Sequence, residues 1–321
     1  MKRMLICGAS GFIGKNLLNY FTGKYNIRAV DIDAPHPASP RHLLDKGNDI
    51  EWVCADLRRP EDVKNVLKDV DIVLHYAATT TGIADIVSKP YIHVTDNAVM
   101  TSLLLREAFE QGIEHFVMPS CTLMYQSSDM PVKETDFNES DGILPRYFGA
   151  GNTKVYLEKM CEFFAGLGRA KHTVLRQSNI YGPYDKYDLK KGHVFGATVV
   201  KVMEAENEIV VWGTGEEERD LLHVSDLVAC VEAALEKQEA RYELVNVGLG
   251  ESISVSNLVQ SIVTASGKDL QIKYDETKPT IKTKLAVDIT KVKEVLEWRP
   301  QISLDSGIKN TLSWYKENKT C

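Results

Sequence analysis

Gly8-Ala9-Ser10-Gly11-Phe12-Ile13-Gly14 follows the short apolar run Met4-Leu5-Ile6-Cys7 and leads into Leu17, Leu18 and Phe21. Together with Ile13, these put one apolar face on a helix. Strand, glycine-rich turn and helix make a phosphate cradle. The glycines permit a tight turn and let backbone approach a pyrophosphate, while the first N–H groups of the helix and its positive dipole end face the anion. Asp31 ends the next apolar run, Ile27-Arg28-Ala29-Val30. There a carboxylate accepts both hydroxyls of an adenosine ribose. A 2′-phosphate would be repelled by Asp31, and Ile32-Asp33 brings no arginine to receive it, so the pattern reads as NAD and not NADP.

The length of 321 residues allows one large α/β domain with a lobe attached. A net charge of −7, with no basic run longer than Lys190-Lys191, argues against nucleic acid as a partner. The six cysteines (7, 54, 121, 161, 230, 321) form no C-x-x-C and pair with no histidine at metal spacing. Buried free thiols in a reducing compartment, and no metal, are therefore expected. The first strand starts at once, so no signal peptide is expected, and no apolar run reaches transmembrane length. The expected location is the cytoplasm, with no membrane partner.

Strand and helix patterns alternate through the first half, as in a parallel sheet covered on both faces. The expected fold is α/β, a doubly wound parallel Rossmann sheet with a smaller, discontinuous α/β substrate lobe. Residues 1–179 and about 223–249 form the first part; about 180–222 and 250–321 form the second. A proline-punctuated loop is expected over 33–47, and a helix over 152–167 that Gly168 ends.

In this order the residues resemble the extended short-chain dehydrogenase/reductase family, the nucleotide-sugar epimerases and dehydratases. Gly8, Gly11, Phe12, Ile13 and Gly14 match its dinucleotide motif, Asp31 and Ile32 its ribose site, and Asp56-Leu57 its adenine contact. Tyr76, Ala77, Ala78 and Thr80 match the strand end beside the cofactor, with Asn97, Ser120, Lys154 and Ser178 completing the cofactor set. His75 and His223 resemble positions with structural roles. The resemblance implies NAD as cofactor and a nucleotide-diphosphate sugar as substrate.

It also implies a catalytic tyrosine four residues before a lysine, with a Ser or Thr from the end of the fifth strand. Lys154 is present, but Ala150 stands at the tyrosine position, and an alanine takes no proton. Aligning Tyr125 with the tyrosine that closes the strand-end motif puts Cys121 at the Ser/Thr position, with Thr122 next to it. Three explanations stay open: another group is the base, Ala150 is an engineered replacement, or the chain only binds. Tyr147, seven residues before Lys154, is one candidate base, although Gly149 and Gly151 favour a loop there. His193 is the other, since Gly182 to Val194 is similar to GDP-fucose synthase, where a histidine at this place serves as an acid. That enzyme's partner cysteine is absent here, Leu123 holding its position.

Matching the family's substrate positions gives Thr81, Asn179, Arg219 and Lys284, the last three at places where a diphosphate is held. Val194 and Trp212 line a base pocket or, for Trp212, pack in the core. The fucose-synthase-like stretch favours a GDP-sugar. Oxidation of a ring hydroxyl at carbon 4, as an epimerase or dehydrogenase, is the implied chemistry; a catalytically silent NAD- and sugar-nucleotide-binding protein is the alternative. The run Glu216-Glu217-Glu218 reads as a solvated turn. A homodimer is expected through the helices carrying Asn97 to Ala108 and Asn152 to Leu167, with Leu103, Leu104, Val155 and Met160 compatible with that face.

Overall fold

A computed structural model describes residues 1–33, 50–79, 91–189, 192–278, 280 and 283–318. The expected loop over 33–47 lies, after Asp33, outside the described residues, as do Thr80 and Thr81. Among the described residues no helix is long and apolar enough to cross a membrane.

Seven strands build one sheet: β1 (Arg3–Cys7), β2 (Asn26–Asp31), β3 (Ile50–Cys54), β4 (Ile72–His75), β5 (His115–Ser120), β6 (Lys171–Gln177) and β10 (Tyr242–Val247). Their order is β10-β6-β5-β4-β1-β2-β3, and every pairing is parallel. Both faces of such a sheet are covered, which is why β1, β4 and β5 are almost unbroken apolar runs. On one face α1 (Phe12–Phe21) and α6 (Val224–Lys237) share a core with Leu17, Leu18, Phe21, Leu227 and Val231. On the other face α2 (Pro60–Val66), α3 (Tyr91–Gln111) and α4 (Phe148–Gly166) close over Val73, Phe116, Leu104 and Leu157. The strand order reverses between β1 and β4. That is the switch point where an open α/β sheet takes its ligand.

The smaller lobe has its own core. It contains β7 (Asn179–Tyr181), α5 (Val194–Glu204), β8 (Glu208–Trp212), β9 (Glu218–His223), β11 (Ser252–Ser254), α7 (Val255–Ser266), β12 (Gln271–Asp275) and α9 (Leu304–Asn318). Strand β9 pairs parallel with β7 and antiparallel with β11, while β8 pairs parallel with β12. Phe195, Val199, Leu221, Leu258, Ile262 and Leu312 fill the space between them. The expected block 250–321 is divided. Val287, Ile289, α8 (Thr290–Leu296) and Trp298 pack into the main-sheet core, because their apolar side chains meet α6 and β10.

Helix α4 begins at Phe148, earlier than expected, and runs through both glycines. They are there for close approach: a Cβ on Gly149 would lie 2.9 Å from Val94, and one on Gly151 2.9 Å from Ile143. Tyr147 is therefore the N-cap residue of α4 instead of a loop residue.

Candidate active site

The dinucleotide cradle is built by β1, its turn and α1. Gly8 has φ of +75°, and a Cβ there would meet Tyr76 O at 2.7 Å and Ala77 Cα at 2.8 Å. At Gly14 a Cβ would lie 2.1 Å from Gly8 O. Only glycine fits either place. Gly11 is the N-cap of α1 with no side-chain cap, so the N–H groups of Phe12, Ile13 and Gly14 point outward without helical partners. Asp31 holds the turn, accepting from Ser10 N–H at 2.8 Å and from Ile32 N–H at 2.8 Å. Beside it Lys15 is held below the ordinary lysine value by burial, with Asp31 opposing. A cradle that a methyl would fill, free N–H groups and a carboxylate at the second strand end fit an adenine dinucleotide.

The other expected cofactor positions that are described lie at or after the ends of β3, β4, β5 and β6, or on α3 and α4. Leu57 is buried, and Asp56 accepts from Arg58 through Nε and Nη2, each at 2.9 Å, a pairing that holds its carboxyl below the usual range. Asn97 accepts from Thr79 N–H at 2.9 Å and donates to Thr79 O at 3.3 Å, and so positions the segment after Ala77 and Ala78. The Ser120 hydroxyl is buried and turned toward Glu158. Ser178 is buried, its N–H donating to Val247 O at 2.8 Å.

Lys154 is half-buried on α4, and its Nζ donates to Pro119 O at 2.9 Å. Burial lowers its pKa, while Cys121 and Glu158 push the other way. Ala150 stands one turn earlier on the same side of α4. Tyr147, about 10 Å before Lys154 along the axis, is half-buried and within electrostatic range of Arg219, Arg146 and Cys121. Burial raises its pKa and the two arginines lower it. Burial also raises the Cys121 thiol, against Lys154, so nothing here makes it a nucleophile at neutral pH. Thr122 is half-buried, its carbonyl accepting from Tyr125 N–H at 3.1 Å. The structure thus brings Lys154, Cys121, Tyr147 and Arg219 into one electrostatic cluster. His193, the N-cap residue of α5, is exposed, its pKa lowered by the surrounding protein and by Lys186.

In the smaller lobe Arg219 Nη1 donates to Glu218 O at 2.8 Å, Thr283 O at 2.9 Å and Thr283 Oγ1 at 2.8 Å. Asn179 Nδ2 donates to Asp220 O at 3.1 Å. Lys284 lies 3.4 Å from both Asp129 and Glu218, and its pKa is raised, by Asp129 first. Val194 opens α5. Trp212 is 48% exposed with Lys201 Nζ 5.6 Å from its ring centroid, so core packing is not its role. Two expectations need correcting. Glu217 is buried, not solvated, because only its neighbour Glu216 faces outward. Cys54 is exposed, since β3 is an edge strand, whereas Cys7, Cys161 and Cys230 are buried.

Sequence reasoning missed the buried network under the site. Arg176 donates to Glu158 through Nε at 3.0 Å and Nη2 at 2.7 Å, and to Tyr125 Oη at 2.9 Å; Tyr125 donates to Asn246 Oδ1 at 2.7 Å. The available signal was Glu158, four residues after Lys154 on the same helix face. Nearby His75 bonds Thr101 Oγ1 at 2.9 Å, and burial, with Lys154 second, lowers its pKa to about 3. It stays neutral.

A model of the NAD dependent epimerase/dehydratase family matches residues 4–248. A dTDP-4-dehydro-6-deoxy-D-allose reductase of Streptomyces is 27% identical, over 99% of this chain and 97% of that protein. A GDP-L-fucose synthase of Azorhizobium caulinodans is 26% identical, over 98% of this chain and 96% of that protein. In fold the chain resembles the UDP-glucose 4-epimerase of Thermotoga maritima solved with UDP-glucose, with a TM-score of 0.86, 24% identity and 99% of both chains covered. It also resembles the UDP-glucuronic acid 4-epimerase of Bacillus cereus solved with UDP-glucuronic acid and NAD, with a TM-score of 0.82, 23% identity, and 98% and 99% of the two chains covered.

Proposed function

The chain belongs to the NAD dependent epimerase/dehydratase family, and from that premise we propose that it oxidises a ring hydroxyl, at carbon 4, of a nucleotide-diphosphate sugar. A GDP-sugar is the preferred substrate, and the outcome is epimerisation or dehydrogenation. The observation that carries this reading is that Tyr147, capping the helix that holds Lys154, lies within electrostatic range of Cys121 and of Arg219 on β9 of the smaller lobe.

NAD, when bound, supplies the hydride acceptor. The N–H groups of the first turn of α1 hold its diphosphate, Asp31 its adenosine ribose, and Lys154 its nicotinamide ribose. Arg219, Asn179 and Lys284 hold the substrate's diphosphate through charge-assisted donors; Trp212 and Val194 receive the base. Thr122 orients the sugar hydroxyl. Tyr147 takes that hydroxyl's proton in place of the group missing at Ala150. Between the two candidate bases the charge environment favours Tyr147, because His193 feels Lys186 while Tyr147 feels Arg219 and Cys121, the latter also coupled to Lys154. A base whose pKa burial raises predicts turnover that climbs as pH rises above neutral.

Ala150 itself favours a second reading, a silent protein that binds NAD and a sugar nucleotide. Incubation with NAD and GDP-, UDP- or CDP-sugars separates the two: new sugar signals by NMR support turnover, and binding with no product from any of them supports silence. Ala150→Tyr then reports whether one side chain limits the chemistry.

We also propose a homodimer through α3 and α4. Phe148, Tyr156 and Phe163 on α4 and Tyr91 and Val99 on α3 are exposed apolar side chains. Leu104 and Val155, by contrast, are buried within the chain itself, and Leu103 and Met160 pack against that core. Sedimentation at twice the chain mass, lost in Phe163→Glu, is the expected result.

A further inference from the structure

Glu217 is 9% exposed, and among the described residues no hydrogen bond reaches its Oε2. Along an extended chain alternate residues share a face. Glu218 and Asp220 face one way: Glu218 pairs with Ser252 and Lys284, and Asp220 accepts from Leu249 N–H at 2.8 Å, Gly250 N–H at 3.1 Å and Val287 N–H at 3.2 Å. Glu217 and Arg219 face the other way, and their charges interact. Tyr147 also interacts with the Arg219 charge. The Glu217 carboxylate is therefore on the same face of the chain as the proposed diphosphate anchor, two residues before it.

A buried carboxylate oxygen with no donor costs free energy unless a donor arrives. A diphosphate brings none, since it only accepts. The groups flanking it in a nucleotide sugar, ribose on one side and hexose on the other, are rich in hydroxyl donors. We propose that Glu217 is a specificity-determining residue whose Oε2 accepts hydrogen bonds from sugar hydroxyls adjoining the diphosphate held by Arg219. The inference rests on the nucleotide-sugar reading above and adds the group that selects hydroxyls over anions. A sugar carrying a carboxylate at that place meets like charge and is rejected.

Titration calorimetry on the NAD-loaded protein tests this, comparing the parent with Glu217→Met, which keeps the side chain's length and removes both acceptor oxygens. The probes are pyrophosphate, GDP, 2′-deoxy-GDP and a GDP-hexose. If the ribose is the donor, the parent prefers GDP over 2′-deoxy-GDP by about tenfold, and the variant loses that preference. If the hexose is the donor, the advantage of the GDP-hexose over GDP collapses in the variant instead. In both cases pyrophosphate binds the variant as well as the parent, or better, because a negative charge beside Arg219 has gone. Ratios unchanged in the variant overturn the proposal, as does an equal weakening of all four probes, which would make Glu217 only a support for Arg219. A parent that takes up none of them while holding NAD overturns the nucleotide-sugar reading first, and this inference with it. Glu217→Ala serves as a second variant if methionine disturbs folding.

Discussion

Replacing Glu158 with alanine removes the anchor beneath the lysine and the strand end that carries Cys121. The Glu158 and Arg176 side chains are only 4% and 6% exposed, and they share two hydrogen bonds, at 3.0 and 2.7 Å. After the change Arg176 keeps Tyr125 Oη at 2.9 Å and Glu134 O at 3.1 Å, but its charge is buried without a counter-ion. Breaking such a pair from one side costs about 3–5 kcal/mol. The Ser120 hydroxyl loses its acceptor as well, a loss of about 1 kcal/mol. The sum is about 4–6 kcal/mol, or about 8–12 °C in midpoint temperature at roughly 2 °C per kcal/mol. Replacing both partners, Glu158→Met with Arg176→Met, leaves no orphan charge and should cost far less than the single change. Urea unfolding followed by circular dichroism gives both values. A single substitution costing under about 1 kcal/mol, or a double one costing the full sum of the two singles, would refute the reasoning.

Gly14→Ala should abolish NAD uptake in equilibrium dialysis, because the new methyl meets Gly8 O at 2.1 Å and must push α1 off β1; unchanged affinity would contradict the cradle. His75 and His115 have pKa values lowered to about 3, and His172 and His223 to about 4, all mainly by burial. The unfolded chain then binds more protons below about pH 6.5. Stability present above that pH should fall steadily towards pH 4, which urea midpoints across the range would show. Asp185 is the opposite case. Burial raises its carboxyl to about 6, so its ionisation costs stability as pH rises from about 4 to 6 and the cost persists above. Asp185→Asn should therefore stabilise the protein at pH 7.5 by about 1–3 kcal/mol and bring no gain near pH 4, as thermal melts at the two pH values would show.

The turn at Gly8 to Gly14, the strand ending at Asp31 and the alternation of strands with helices were all legible, because each has a local cause: a period, a φ requirement or a strand-end carboxylate. The start of α4 was not. Glycine signals a turn in isolation, and only the nearness of Val94 and Ile143 shows that here it permits packing inside a helix. Glu217 was misread for a similar reason. A run of three acids is solvated by default, and the extended chain leading into β9 buries the middle one only once β9 has a place in the fold. Arg176, Tyr125 and Asn246 come together from β6, the β5 loop and β10, so no spacing along the chain could pair them. The residues of the second lobe that return to the main sheet, Val287 to Trp298, carry the same apolar pattern as those that stay.

The most direct measurement uses a GDP-hexose deuterated at carbon 4, incubated with the NAD-loaded protein, with the nicotinamide then recovered for mass spectrometry. Dehydrogenation predicts deuterium on the nicotinamide ring, and epimerisation, which returns the hydride, predicts a carbon-4 epimer that keeps its deuterium; either product should fall in amount with Tyr147→Phe. Unlabelled cofactor together with unchanged hexose, from protein that calorimetry shows to hold both NAD and the nucleotide sugar, would contradict it.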